Sequence, residues 1–390
     1  MKKLLVLNHF PTVYPPTSGG TLRYFHLYKE LSHYYNVTLL SQTQGRKGSF
    51  FQYSPNFTEY KVEKDPIKKQ ISQLPQLSEA IYELELIINI KLSSHPTIYK
   101  NYYESLYGTS DIIIHESPYL LRYDRYLGFD NKPRIYNSHN HEYVLANQIW
   151  RNQKAREYLP LIYELERKLV ECAKLIFVTS EIERNSFIDM YNKDPKKVKL
   201  APNGIDPDAW LQIKESSNKR LHALFIGANY PPNIEAVGYI IHYLADKCPE
   251  IEFLIAGGCC NPFSAIKKPN IKLLGRVHHK QKLKLFAKTD IAINPMFTGA
   301  GVNLKTLEFL SAGIPLFSTD FGVRGLNLID KEHYLHAEKE DFSNKINQFC
   351  HDKKFLKEMS LRGQKYINDN YTWSNIAKSI YEEIERATTF

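Results

Sequence analysis

The feature that most constrains this chain is an alternation of short apolar runs with amphipathic stretches, which runs once, stops, and starts again. The run at 3–8, ending at Asn8, has no polar alternation, as expected for a parallel strand buried on both faces. A Pro/Gly-rich loop follows from Pro11 to Gly20. Leu22, Phe25, Leu27, Tyr28 and Leu31 then recur at helical spacing and predict a helix over 22–35. Further strands are predicted at 37–40, 112–114, 134–137, 175–178 and 198–200. A long charged helix is expected over 152–172, and Thr179-Ser180 caps another that runs to 189. Residues 206–220 are polar and pattern-poor, which fits a linker. The alternation then resumes, with strands at 223–226, 252–256, 271–274, 291–294 and 314–318. Helices are predicted at 233–247, 280–288, 303–312, 341–350 and 373–386. Such order implies right-handed crossovers, parallel sheets and ligands at the carboxyl ends of the strands.

A chain of 390 residues is too long for one ordinary core, and two α/β domains follow. A hydrophobic fraction of 43% with 24% charged residues is an ordinary globular balance. No run approaches the roughly 20 apolar residues of a membrane-spanning helix. The apolar N-terminus is too short for a signal peptide and no small-residue cleavage site follows it. Five scattered cysteines argue against a disulfide framework and for a reducing compartment. The net charge of +9 suits an anionic partner, whether nucleotide, membrane surface or nucleic acid. Residues 64–108 read as irregular helix. There Lys64, Lys68 and Lys69, beside Ile67 and Ile71, suit either a solvated face or contact with a membrane surface.

The segment richest in chemistry is 294–308, Asn-Pro-Met-Phe-Thr-Gly-Ala-Gly-Val-Asn-Leu-Lys-Thr-Leu-Glu, which follows a predicted strand and opens a helix. Gly299 and Gly301 let the backbone approach a ligand closely. The helix N-terminus offers unpaired N–H groups and a positive dipole end. Lys305 adds a full positive charge, and Glu308, three residues on, can share its face. A carboxylate there can accept hydrogen bonds from two ribose hydroxyls. The same spacing also suits a plain strand–helix turn.

The stretch 299–315, continuing through Ser318-Thr319 and Gly322 to Gly325-Leu326, resembles the donor-binding motif of family-four retaining glycosyltransferases. These have the GT-B fold, an α/β architecture of two Rossmann-like domains whose parallel sheets face each other across a cleft. Other landmarks keep the family's order. Gly19-Gly20 with Arg23 resembles its N-terminal glycine loop and helix. Ser138-His139-Asn140-His141-Glu142 resembles the acceptor-side histidine segment. Val178-Thr179-Ser180-Glu181 and Pro202-Asn203-Gly204-Ile205-Asp206 resemble the two signatures before the linker. Phe225-Ile226-Gly227 resembles the opening of the second domain, and Gly275-Arg276-Val277 the segment that meets the nucleobase. Only the region 45–110 is weak.

The resemblance implies an acceptor-binding domain at 1–205, a linker at 206–220 and a nucleotide-sugar-binding domain at 221–372. A helix at 373–390 returns to the first domain. The implied activity moves a sugar, with retention, from a nucleotide-diphosphate sugar to a glycan, lipid-linked or other acceptor hydroxyl. It needs no cofactor and no metal. Glu308 would hold the ribose, and Val277 the base through its backbone. Gly19, Gly20 and the amides of Gly299, Ala300, Gly301 and Val302 would hold the diphosphate and sugar. His139 would sit beside the transferred sugar. Arg23, Gly227 and Asn303 complete the donor set. The implied place is the cytoplasm, with peripheral contact at the inner face of the membrane.

Two departures stand out. The family's first glutamate falls on Ala300, and the segment 228–233 lacks the usual cations. Lys305, with Arg276, is the candidate replacement charge. Ala300 motivates an alternative, a non-catalytic nucleotide-sugar sensor. Another alternative is a different GT-B enzyme, an epimerase or a nucleic-acid glucosyltransferase, and the +9 charge motivates the latter. His278-His279 lacks a third metal ligand. Gly257-Gly258 reads as a strand-end turn, and no G-x-G-x-x-G follows the first strand. His141 and Glu142 stand close enough to His139 that the sequence does not rank them.

Overall fold

The computed structural model describes residues 1–12, 19–43, 47–63, 65–67, 84–210, 220–299 and 301–388. The chain divides into two compact units, Met1–Pro202 with Ile376–Phe390, and Asn203–Asn375.

The first unit holds eight strands: β1 (Lys3–Asn8), β2 (Asn36–Gln42), β3 (Ser49–Ser54), β4 (Phe57–Val62), β5 (Ile112–His115), β6 (Arg134–Asn137), β7 (Leu175–Val178) and β8 (Val198–Leu200). Their order is β3-β4-β2-β1-β5-β6-β7-β8. All neighbours pair in parallel except the β3–β4 hairpin. The strand order reverses beside β1, whose neighbours are β2 and β5, and there a doubly wound sheet opens a crevice at its carboxyl ends. The hairpin was not anticipated, because β3 is largely exposed and carries no buried face to read. The expected helix at 152–172 is two, Gln153–Arg156 and Leu159–Cys172. Pro160 sits in the first turn of the second, where a missing N–H is harmless. Of the lysine-rich stretch, Lys64, Lys68, Lys69 and Ile71 lie outside the described residues, and Ile67 packs against Ile88 and Leu92.

The second unit holds β9 (Leu221–Ile226), β10 (Ile251–Ala256), β11 (Ile271–Gly275), β12 (Ile291–Asn294), β13 (Leu316–Ser318) and β14 (Leu335–His336). They form one parallel sheet ordered β11-β10-β9-β12-β13-β14. Its switch point lies between β9 and β12. Gly257, at φ +101°, ends β10 so close to the next loop that a Cβ would lie 2.0 Å from the Gly227 carbonyl oxygen. The helix Lys353–Asn370 was not anticipated. Its buried stripe runs through Leu356, Met359, Ser360, Gly363 and Ile367, and the two small residues hide it from hydropathy. Part of the expected linker belongs to this unit's core. Pro207–Trp210 form a short helix, and buried Trp210 stacks on Phe286 at 4.8 Å. Residues 211–219 lie outside the described ones.

The last helix, Trp373–Thr388, buries Ile376, Ala377, Ile380 and Ile384. In the first unit, Glu385 accepts from Lys2 Nζ at 2.9 Å and from the Tyr35 hydroxyl at 2.8 Å. Tyr381 stacks on Tyr34 at 4.5 Å.

Candidate functional site

At the second unit's switch point, the helices after β9 and β12 meet. Lys305, on the Leu304–Ser311 helix, donates from Nζ to Asn233 Oδ1 at 2.7 Å. Asn233 sits in the first turn of the Pro231–Tyr239 helix. The Lys305 ammonium lies 4.1 Å from the centroid of the Phe225 ring, a cation–π contact. Burial pulls its pKa down to about 7, and the Arg324 charge adds to this while Cys259 and Glu308 oppose it. The full positive charge expected of Lys305 is therefore only partly present at neutral pH, because desolvation disfavours the ammonium. Nor does Lys305 pair with Glu308. That carboxylate is buried and accepts from Lys282 Nζ at 2.6 Å.

Asn303 stands at the N-cap of the Leu304–Ser311 helix, but its side chain makes no capping bond. Its Nδ2 instead donates to the Gly322 carbonyl at 3.2 Å. The Asn303 side chain thus leaves the first N–H groups of the helix uncapped, a condition for receiving an anion. Gly299 and Gly301 have φ of 120° and 66°, a region that side chains disfavour. Val302 is buried, with its carbonyl near Asn203 Nδ2 at 3.4 Å. Ala300 lies outside the described residues. Arg324 was missed by sequence reasoning. A Cβ on Gly299 would lie 3.6 Å from its Nη2, and its guanidinium sits 4.0 Å over the Phe321 ring. The family-like stretch 322–326 encloses Arg324, and that was the available signal. Gly227 packs on Asn233, Arg276 is exposed, and Val277 is half-buried. His278 caps the helix His279–Ala287.

In the first unit, the switch point gathers His9, Glu116 and His139. Glu116 is buried and accepts from His139 Nε2, from the Tyr28 hydroxyl and, at 2.7 Å, from Asn137 Nδ2. Arg23 is buried and donates to Asn137 Oδ1 at 2.9 Å and to the Pro202 carbonyl at 3.0 Å, so these donors serve the unit's own frame. Gly19 and Gly20 open the helix Gly19–Leu31. Burial, with the His139 charge, lowers the His9 pKa to about 3. His141 is a packing residue: it stacks on Phe187 at 4.4 Å and bonds Ser186 at 2.8 Å. Burial lowers its pKa to about 4. Burial also raises Glu142 to about 8, where it accepts from the Tyr119 hydroxyl at 2.7 Å. Glu116 was missed too, although His115-Glu116 directly ends the apolar run of β5.

This fold has known counterparts. Sucrose-phosphate synthase from Thermosynechococcus elongatus is 14% identical and superposes with a TM-score of 0.73 over 100% of both chains. A UDP-forming trehalose-phosphate synthase from Burkholderia xenovorans gives 0.73 at 13% identity, again over 100% of both. Anabaena HepE, in complex with UDP and glucose, gives 0.68 at 13% identity over 99% of this chain and 100% of its own. The architecture is that of the GT-B glycosyltransferases. Residues 91–209 match the pattern of Glycosyltransferase Family 4, and residues 220–352 that of Glycosyl transferases group 1. The chain belongs to this glycosyltransferase family. A relative in Klebsiella pneumoniae, an uncharacterized 44.6 kDa protein in the cps region, is 23% identical over 70% of this chain and 74% of its own.

Proposed function

We infer that the protein is a retaining glycosyltransferase that uses a nucleotide-diphosphate sugar and passes the sugar to a hydroxyl of a glycan or lipid-linked acceptor. The observation that carries the donor reading is the switch point of the second unit. There an uncapped helix start, two loop glycines at positive φ, Lys305, Arg324 and the buried Glu308 come together. Glycosyl transfer leaves negative charge on the departing diphosphate, so catalysis needs fixed donors and cations aimed at it. Arg324 supplies a permanent cation. Lys305 supplies one that the arriving diphosphate recharges. Glu308, held in place by Lys282, is read as the ribose ligand, and Val277 and Arg276 as the base-side contacts. His139, oriented by Glu116, is read as the group beside the transferred sugar, and Gly19 and Gly20 as backbone contacts to the diphosphate and sugar. No carboxylate is assigned as a covalent nucleophile. The diphosphate itself takes the acceptor proton, and no metal is invoked.

The UDP and glucose of the HepE complex support a UDP-sugar as donor, and the cps-region relative supports polysaccharide synthesis. Among the described residues no helix is long and apolar enough to cross a membrane. We read the enzyme as cytoplasmic, working at the inner face of the membrane.

Thermal shift against UDP, GDP, ADP, CMP and dTDP tests this. A nucleotide at about 100 times its Kd adds roughly 2.7 kcal/mol. One nucleotide should stabilise the wild type and not Glu308→Ala. If none stabilises the wild type, the donor site is misplaced.

A further inference from the structure

One cavity of the second unit has no part in the donor reading. It measures about 490 Å³ and lies against Phe297 and the helix that follows β9. Its wall is aromatic. Tyr239 and Tyr243 stack at 5.2 Å with their planes 20° apart, and Phe297 meets Tyr239 edge-on at 5.2 Å. All three rings are half-buried, so each keeps a face or edge for a ligand.

The wall is held in place by polar contacts. The Tyr239 hydroxyl donates to the Lys339 carbonyl at 2.5 Å, and Lys339 Nζ sits 5.2 Å over the Phe297 ring. Glu235 accepts from the Thr298 hydroxyl at 2.7 Å, which ties the rim to the loop that carries Gly299. The helix itself is modified at this point. After Pro231–Tyr239 it passes into a π-helical turn, Ile240–Leu244. Such turns are rare and recur at functional sites. Here Ile240, Ile241 and Leu244 are all fully buried while Tyr239 and Tyr243 remain side by side at the surface.

The chemistry of the lining selects a ligand class. A pyranoside ring has a face rich in C–H bonds, whose positive edges suit the negative face of an aromatic ring. Its hydroxyls point outward in the ring plane and need acceptors and donors at the rim. Glu235 and Glu340 accept there, Lys339 donates, and exposed His242 can do either. Two carboxylates against one lysine repel a phosphate group, although the chain as a whole carries +9. A charged rim is also wrong for an alkyl chain. The volume suits a small ligand site, for which about 300–1,000 Å³ is usual.

We propose that this cavity is a saccharide-binding site that takes a pyranoside unit of the acceptor glycan beside the loop 295–303. The assignment of the saccharide to an acceptor rests on the glycosyltransferase reading above.

The test is saturation-transfer NMR on the full-length protein with methyl glycosides of glucose, galactose, mannose, N-acetylglucosamine and rhamnose. Ring C–H signals are expected from at least one glycoside. Tyr243→Ala should weaken them at least about threefold, the size of one lost aromatic contact. Tyr243→Phe, which keeps the ring, should retain them. Glu308→Ala should retain them as well, because it alters the donor site only. Cooperative melting of each variant shows that it is folded. The proposal is overturned if no glycoside gives a signal, if Tyr243→Ala leaves it unchanged, or if Glu308→Ala abolishes it. Failure of the donor reading appears elsewhere, as a melting temperature that no nucleoside diphosphate raises. A Tyr243-dependent signal would survive that failure as a saccharide site.

Discussion

Lys305 shows how far a single residue's role depends on what surrounds it. An exposed lysine titrates at about 10.4. Burial brings this one down to about 7. Between those values the unfolded chain holds a proton that the folded protein has released, so stability rises with pH across that window. Below about 7 both states are protonated, and the cost of burying the charge is felt in full. Lys305→Met removes this dependence. In urea unfolding, the variant should gain on the wild type more at pH 6 than at pH 9. An equal difference at both would mean that the ammonium is not desolvated. A bound diphosphate should raise the pKa again, so nucleotide binding at pH 8 should take up a proton, visible by calorimetry in two buffers. Glu116 makes the second case. It takes three hydrogen bonds in a buried place, and Glu116→Gln turns a donor toward groups that are themselves donors. We expect a loss of about 1–3 kcal/mol of stability. We also expect slower transfer with nucleotide affinity kept, because His139 loses its orienting partner. Unchanged transfer would remove Glu116 from the site. Lys305 and Glu308 were legible because a motif of fixed spacing contains them. Lys282, Arg324 and Glu116 were not, because their importance lies in partners 26, 25 and 23 residues away: Glu308, Gly299 and His139.

Elements were most legible where burial is complete. β1, β7 and β12 show as apolar runs because both faces of each are covered. The exposed β3 and the helix Lys353–Asn370 escaped for the opposite reason, since neither shows a continuous apolar face. The π-helical turn at Ile240–Leu244 left no mark either, because one extra residue per turn barely disturbs an apolar pattern. Glycines at strand ends were read as turns, but the closeness of the next strand's loop was invisible. Gly257→Ala tests that closeness. The new Cβ would stand 2.0 Å from the Gly227 oxygen at a φ of +101°, and neither backbone can yield without moving β9 or β10. Both strands border the donor loops. Chemical denaturation should show a loss of several kcal/mol. Gly128→Ala is the control: its φ of +68° is strained, but no atom lies within 4 Å, so it should cost only about 1–2 kcal/mol. Equal losses in the two variants would mean that conformation matters at Gly257 and contact does not.

At the scale of the whole molecule, the first unit is built from both ends of the chain. Its sheet ends at β8, yet Ile376, Ala377, Ile380 and Ile384 complete its packing from the far terminus. Glu385 joins Lys2 and Tyr35, and Glu383 joins Lys199 at 3.0 Å. The two partners joined through Glu385 lie at the other end of the sequence, so no local pattern could reveal the contact; only the amphipathic spacing of 373–386 hinted that a face was to be buried. Ending the chain at Asn375 therefore damages the first unit while leaving the second unit's residues, Asn203–Asn375, complete. The truncation removes the buried side chains of three isoleucines and Ala377, and burying each isoleucine is worth about 1.5–3 kcal/mol. Against a typical total of about 5–15 kcal/mol, that loss leaves the first unit much the less stable of the two. The truncated chain should melt in two steps. Amides of β1 and β8 should lose hydrogen-exchange protection first, while those of β9, β10 and β12 keep theirs. The second step should still rise with the nucleotide that stabilises the intact protein, because every donor-side residue of the second unit remains. A single cooperative transition for the truncated chain would show instead that the two units fold as one.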